Sequence, residues 1–389
     1  MNIVELTELQ FRNYSNIHSR KNYKQSVEYA TLEETRNYSK LYLGLIDDNE
    51  NVYAATMILE KKLNNKLKYG YVPNGYLIDF NNIELLRIFT DKLKIYLKKL
   101  NYTHLRITPL LNYQIFSSQF ILKENNSSII NMFKSLGYTY ISNTSRHKMV
   151  LHSNNIESTY RNFNRSLRRN IDDCLKKGIA IYQGGKDDIE NFLNLTDNKS
   201  YYRDMINIFN NPNNMFEFYF AKLEPETYVN NYRYLLKREQ INNEKLNQKL
   251  RNPNVKKSNN LLSRKMTSDT LITKYSNEII NGTNIYKIYP QGLILACVGI
   301  IDNRKEIIFI NEGFDNNFKN IRSVSMIKWE IIKKYISRGY NTFDLGDVSI
   351  SQNYTTEYGY NGNIVEYSNT FDLVINDMMY KLNNMMKKK

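Results

Sequence analysis

A polar, glycine-free stretch from residue 226 to residue 281 constrains this chain more than any other feature. It has few β-branched runs and breaks only around Asn252-Pro253-Asn254. It therefore reads as two long helices, about 226–251 and 258–281, folded back as an antiparallel hairpin. At about 1.5 Å per residue each helix spans roughly 35–40 Å. Val229, Tyr232, Leu236, Leu246 and Leu250 follow a 3-4 seam, and Glu239 and Asn243 fall on that same seam, which makes an imperfect coiled coil. Eleven basic residues against five acidic ones leave the stretch at +6, suited either to a solvated helical spacer or to an arm that touches nucleic acid.

The segments on either side must then supply the cores. Before the hairpin, 51–60 (NVYAATMILE), 75–80 (GYLIDF) and 105–109 (LRITP) read as strands. Between them 82–100 reads as an amphipathic helix, with Ile83, Leu86, Phe89, Leu93 and Tyr96 on one face. Next, a basic helix over 156–177 ends at Gly178, a strand occupies 179–183, and a helical pattern runs from about 187 to 204. After the hairpin, 293–301 and 305–310 read as strands paired around Asp302-Asn303, 322–338 as a helix, 342–345 as a strand and 364–374 as one long strand. Both flanks are mixed α/β. The expected division is a first domain over 1–152, a second over 153–225 and 282–376, the arm over 226–281, and a basic C-terminal helix or tail over 377–389.

Charge narrows the function. Lys and Arg number 54 against 39 Asp and Glu, a net charge of +15, which favours polyanionic partners such as tRNA, nucleotide phosphates or an anionic membrane surface. The alternative is a basic enzyme whose charge serves only solubility. Cys174 and Cys297 are too few for a disulfide framework or a cysteine zinc cage, and His18, His104, His147 and His152 lack metal-ligand spacing, so no metal is expected. The start, MNIVELTELQFRNY, lacks a basic and then apolar leader, and no apolar run approaches the roughly 18 residues of a bilayer span. A cytoplasmic protein, at most peripheral at the inner face of the membrane, is the expectation. The abundance of Asn, Lys, Tyr and Ile fits the codon bias of an AT-rich genome.

No phosphate-cradling glycine loop, dinucleotide fingerprint or nucleophile elbow is present. Instead a series of longer phrases recurs in order: Gln25-Ser26; Tyr71-Val72-Pro73-Asn74-Gly75-Tyr76-Leu77-Ile78-Asp79-Phe80; Leu105-Arg106-Ile107-Thr108-Pro109; Arg168-Arg169-Asn170-Ile171 with Lys176-Lys177-Gly178; Lys328-Trp329-Glu330-Ile331-Ile332; Gly339-Tyr340-Asn341-Thr342-Phe343-Asp344-Leu345-Gly346; and Glu357-Tyr358-Gly359-Tyr360. This series resembles the FemABX family of non-ribosomal peptidyltransferases, whose phrases run Q-S, P-R-G-P-V-I-D-Y, L-R-I-D-P, R-x-N-I-x-x-A-x-K-K-G, Q-W-E-x-I, G-x-x-x-Y-D-F-x-G and F-K-K-G-F. The resemblance covers about residues 20–376, and the helical insert makes the chain similar to the FemA/FemB branch. It implies two acetyltransferase-like (GNAT-like) α/β domains plus a helical arm. It also implies transfer of an amino acid from aminoacyl-tRNA to an amine of a peptidoglycan precursor, lipid II or UDP-MurNAc-pentapeptide, with no cofactor beyond the aminoacyl-tRNA co-substrate. A homo- or heterodimer with a paralogue is compatible with it. The chain departs from the pattern at Thr108 (Asp in the family), Glu357 (the first Lys of F-K-K-G-F) and Glu33 (a Lys after the Q-S helix). Tyr201-Tyr202 follow Lys199 where the family has an Arg before a Tyr-Tyr pair.

The implied reaction is aminolysis of an activated ester. It needs positioning, donors for an oxyanion and a proton acceptor, but no covalent nucleophile. The catalytic candidates are Asp79, Glu357 and Tyr358, with Asp79 and the 357–359 loop expected to face one cleft. Asp79 either holds the acceptor amine or caps the helix near 82, and Glu357 is either a base or a solvated loop acid. The binding candidates are Arg106, Arg168, Arg169, Lys176, Lys177, Tyr201, Tyr202 and Gly359, the basic ones being phosphate ligands or a solvated face. Trp329, the only tryptophan, fits a core position better than a stacking platform. Two other readings stay open: an acyl-CoA-dependent N-acyltransferase, against which the missing [QR]-x-x-G-x-[GA] loop counts, and a non-catalytic precursor- or tRNA-binding partner of an active paralogue.

Overall fold

The computed structural model describes residues 1–64, 66–141, 146–210, 215–252, 259–349 and 356–386. Two mixed sheets carry the fold. The first has seven strands in the order Asn2–Glu5, Ser39–Ile46, Val52–Lys62, Lys68–Pro73, Tyr102–Thr108, Thr370–Val374 and Tyr138–Ile141. The second has nine: Ile179–Gln183, Phe216–Leu223, Leu293–Asp302, Glu306–Phe314, Thr342–Asp347, Arg146–His152, Asn363–Tyr367, Asn112–Phe116 and Leu122–Asn125. Each sheet contains one parallel pair, Lys68–Pro73 with Tyr102–Thr108 and Glu306–Phe314 with Thr342–Asp347. Each pair is joined through one helix, Ile83–Lys99 in the first and Ser323–Ile336 in the second.

The central strands are buried on both faces, so they read as continuous apolar runs: Ala54 to Leu59 and Leu295 to Ile301 are all buried. Helix Ile83–Lys99 buries Leu86, Phe89, Leu93 and Leu97 at 3-4 spacing, while Ile83 stays exposed and Tyr96 half-buried. Helix Ser323–Ile336 is enclosed nearly all round, and Trp329 packs in the core against Phe163 and Tyr160. A third apolar cluster joins the two sheets. Phe11, Leu32, Met57 and Leu77 of the first half meet Phe192, Phe209, Phe218 and Ile308 of the second.

The helical hairpin is present as Pro225–Arg251 and Asn259–Ile288, and Tyr232 beside Tyr275 and Asn243 beside Ser268 show the two running antiparallel. Tyr232, Asn243 and Leu246 of the seam are buried, and Glu239 is half-buried. Asn243 donates to Ser268 Oγ (3.1 Å) and Asp269 Oδ1 (2.8 Å), so a polar layer fixes the register where apolar packing lapses. The second helix outruns its expected end at 281, with Gly282 seated against Val229 and Tyr228. Pro253 and Asn254 of the expected turn, and residues 387–389 of the expected tail, lie outside the described residues, and helix Asp377–Met386 precedes the latter. Among the described residues no helix is long and apolar enough to cross a membrane.

Several sequence expectations are corrected. The run 364–374 is two strands in different sheets: Asn363–Tyr367 pairs with Arg146–His152, and Thr370–Val374 pairs with Tyr102–Thr108. Ser368 makes the crossing, its N–H donating to Leu111 O (2.8 Å) and its hydroxyl to Pro109 O (3.1 Å). The expected boundaries of 1–152 and 282–376 therefore do not follow the sheets. Asn112–Phe116, Leu122–Asn125 and Arg146–His152 belong to the second sheet, and Thr370–Val374 belongs to the first. Residues 75–80 are not a strand but a buried passage with one bridge, Leu77 to Ala55. The basic helix breaks into Ile156–Asn162 and Arg165–Lys176, because Asn164 caps the second piece by accepting from Leu167 N (2.7 Å). The pattern from 187 to 204 breaks into Ile189–Leu195 and Lys199–Phe209 at Asn198, which is left-handed.

Candidate active site

The second sheet's parallel pair stays in register only from Glu306 opposite Thr342 to Ile308 opposite Asp344. Beyond that level Phe309, Asn311 and Glu312 remain paired with Val298 to Ile300, and Asp347 with Lys148, so the two strands part while each keeps its outer neighbour. Register shifts between Gly299 and Ile300, and between Asp344 and Asp347, bend the strands at the level where they separate. Gly346 sits in the second shift at φ +102°, a conformation strained for any side chain with a Cβ.

The opening is a cavity of about 620 Å³ at the carboxyl ends of the parallel strands, where open α/β sheets bind ligands. Residues 308–312 and 345–347 form its walls, with Arg146, Lys148 and Glu357 from neighbouring segments and Tyr23 and Lys24 from the first half. Gln25 explains how the first half reaches in. Its buried amide donates to Pro73 O (2.9 Å) and Met57 O (3.2 Å) and accepts from Met57 N (2.9 Å), pinning the short helix Tyr23–Gln25 at the junction of the sheets.

Two charge groups line the cavity. Lys24, Arg146 and Lys148 form one. Burial, with Lys148 and Arg146 close by, pulls Lys24 down to about 8. Lys148 pairs with buried Asp344, which also accepts from Gly346 N (3.1 Å). Burial and the negative charge of Asp344 lift Glu306, on the adjoining strand, to about 7. The second group is Glu312 and Glu357, both paired with Lys328, whose Nζ lies 2.9 Å from Glu357 Oε1 and donates to Leu345 O (3.3 Å). Lys328 is wholly buried. Burial opposes its charge, and the two carboxylates outweigh that and hold its pKa above the ordinary lysine value. Two donors lining the cavity, Arg146 Nη2 and Asn311 Nδ2, are buried with no hydrogen-bond partner among the described residues. No serine or cysteine lines the cavity among the described residues, and none of these residues forms a cluster of His, Cys, Asp or Glu placed to hold a metal ion.

With this geometry established, comparison identifies the chain's relatives. The FemAB family pattern matches residues 6–388. The chain belongs to the FemAB family. Aminoacyltransferase FemA of Staphylococcus epidermidis is 22% identical over 420 residues, spanning 100% of this chain and 99% of that protein. Aminoacyltransferase FemA of Staphylococcus aureus strain MRSA252 is 22% identical over 422 residues with the same coverage. The crystal structure of FemX superimposes with a TM-score of 0.73 at 15% identity, covering 98% of this chain and 99% of FemX, so the two-sheet α/β fold is shared.

Of the catalytic and binding candidates, only Glu357 lines the cavity among the described residues, joined there by Leu345 and Gly346 of the Gly339 to Gly346 phrase. Asp79 does not, so the expected common cleft of Asp79 and the 357–359 loop is not formed there. Asp79 is exposed, accepts from Asn81 N (2.9 Å) in a turn, and leaves the helix cap to Asn82. Tyr358 donates to Ser349 O (3.2 Å) and packs beside Phe120. Gly359 accepts from Asn164 N (2.9 Å) and lies so close to Leu167 that a Cβ would sit 3.0 Å from that side chain, a packing role. Arg106 makes a bidentate pair, 2.8 Å on each arm, with fully buried Asp372 directly across the strands, so it holds the exchanged strand in place. Lys177 bonds Glu278 (2.8 Å) and the Tyr228 hydroxyl (2.9 Å) and ties the arm to the body. Lys176 lies 3.5 Å from Asp173. Arg168 is half-buried and Arg169 exposed, and neither enters an ion pair among the described residues. Tyr201 lies under Arg36 (4.3 Å), and Tyr202 donates to Ile310 O (3.3 Å), both at the joint between the sheets.

Sequence reasoning missed Lys24, Arg146, Lys148, Asn311, Glu312 and Lys328. Only Lys328 had a local signal: a lysine one turn from Ser325 and Ile332 on an otherwise enclosed helix.

Proposed function

We propose that this chain transfers an aminoacyl group from aminoacyl-tRNA to an amine of a peptidoglycan precursor, lipid II or UDP-MurNAc-pentapeptide, in the building of interpeptide bridges. The carrying observation is a FemAB match over residues 6–388 on a chain whose parted strands open a cavity lined by both basic and acidic side chains, with buried unpaired donors and no lining serine or cysteine among the described residues. In the reaction the acceptor nitrogen bonds the ester carbon, the carbon–ribose oxygen bond breaks, and the ammonium proton passes to a carboxylate or to the leaving oxygen. Asn311 Nδ2 and Arg146 Nη2 are donors suited to the oxyanion, and Asp347 is a lining carboxylate suited to the proton. The net charge of +15 suits two polyanionic substrates and work at the inner face of the membrane.

A second reading, a binding partner without turnover, draws support from Thr108, whose hydroxyl is engaged by the Tyr71 hydroxyl (3.2 Å) and Asn74 N (3.4 Å) where the resembled phrase has an aspartate. One assay separates the two. Purified protein is mixed with a panel of radiolabelled aminoacyl-tRNAs and lipid II. Label transferred to the precursor from at least one charged tRNA supports the first reading; binding of tRNA or precursor without transfer supports the second.

A further inference from the structure

Two unlike charge groups line the cavity. Lys148 and Arg146 lie within electrostatic reach of Lys24, whereas Glu312 and Glu357 meet at Lys328. Lys328 cannot serve a ligand. It is wholly buried, and its three ammonium protons face three acceptors: Glu312, Glu357 and Leu345 O. What it does is hold two carboxylates side by side. Both contact the same nitrogen, and the trio carries two negative charges to one positive. Glu312 keeps 36% of its side chain exposed where it lines the cavity. A second ammonium brought by a ligand would complete a two-against-two arrangement in a partly desolvated place, where charge-assisted hydrogen bonds are strong. The donors Asn311 Nδ2, beside Glu312 on its strand, and Arg146 Nη2, on Arg146–His152, also line the cavity, are buried with no partner among the described residues, and call for acceptor oxygens on that ligand. A free α-amine next to an ester carbonyl carries both groups.

We propose that Glu312 and Glu357, with Lys328 as the positioning residue, seat the α-ammonium of the aminoacyl donor, its carbonyl oxygen turned toward Asn311 and Arg146. The assignment rests on the transferase reading and adds to it a specificity rule: the donor must carry a free α-amine.

The test uses tRNA acceptor minihelices charged with glycine, alanine or serine, each with the α-amine free or N-acetylated. Equilibrium binding to the full chain is measured at fixed salt. Wild type should prefer the free amine by about tenfold or more for at least one amino acid, and Glu312→Gln should bring that preference to within about twofold. Lys328→Gln should erode the same preference; a merely structural role would lower thermal stability and leave the ratio intact. Equal affinity of wild type for the two forms, or a preference that survives Glu312→Gln, overturns the proposal. These outcomes differ from failure of the transferase reading, in which no charged tRNA labels the precursor whatever the binding preference.

Discussion

The two parallel strand pairs of this molecule begin alike and end differently. In the first sheet the pairing of Lys68–Pro73 with Tyr102–Thr108 runs to the last residue, Pro73 opposite Thr108, and its one irregularity lies at the start, between Lys68 and Gly70. In the second sheet the pairing stops at Ile308 opposite Asp344, with irregularities in both flanking ladders at that level. The same local fold is thus closed in one half and opened in the other. The closed half serves as a wall that delivers Tyr23 and Lys24; the opened half holds the walls, the charges and the orphaned donors. Bulges, not a distinct motif, make the difference.

The largest contrast should come from one substitution on each pair. Asn311→Leu removes a buried donor from the open pair and should cut transfer about 10²-fold, the usual cost of a lost oxyanion donor. Thr108→Val on the closed pair should leave transfer within about threefold, since among the described residues the Thr108 hydroxyl bonds only Tyr71 and Asn74. Steady-state transfer with circular dichroism as a fold control reads both.

Arg106→Met should act on stability. Asp372 is fully buried and, among the described residues, its carboxylate would keep only the Tyr380 hydroxyl (2.9 Å), so urea unfolding should show a loss of about 3–5 kcal/mol, with turnover per folded molecule unchanged.

Lys24 gives a pH signature. Its folded pKa near 8 lies below its unfolded value, so the folded state holds fewer protons between them, and stability from this group rises as pH climbs through that window. Anion binding has the opposite sign. Loss of the Lys24 charge above about pH 8 should weaken minihelix affinity several-fold, and Lys24→Arg should flatten that dependence. Binding titrations at pH 6.5 to 9.5, values chosen to bracket roughly the shifted lysine pKa, decide it.

The smallest effect belongs to Asp79→Asn. The exposed side chain orders a turn through Asn81 N and lies within electrostatic reach of His18 and Arg20, outside the cavity; asparagine makes the same turn, so transfer should change by less than about twofold.

The difference between the two pairs also explains what the sequence disclosed. Elements whose residues decide for themselves were legible: the Leu86–Leu97 stripe, the end of a helix at Gly178 (φ +67°), and the hairpin seam including polar Asn243. The strand 364–374 was not, because IVEYSNTFDLV has no breaker. Its division at Ser368 depends on which sheet has a place beside Tyr102–Thr108. Of the site, the matching phrases reached Leu345, Gly346, Glu357 and the supporting Lys328, and only Glu357 was a candidate for chemistry. Arg146 and Asn311 look like ordinary strand residues, and nothing in their neighbours along the chain marks that their donors end buried with no partner among the described residues. Arg106 and Lys177 misled for the converse reason: a basic residue near a matching phrase reads the same whether it holds a phosphate or a buried carboxylate.

The central claim is that the donor enters the opened pair. Photo-crosslinking measures this directly: a minihelix charged with a diazirine-bearing amino acid is bound, irradiated, and the adducts are located by peptide mass spectrometry. Adducts within 308–312 and 345–347 are the predicted result. Adducts confined to 71–74 and 105–108 of the closed pair would contradict the account.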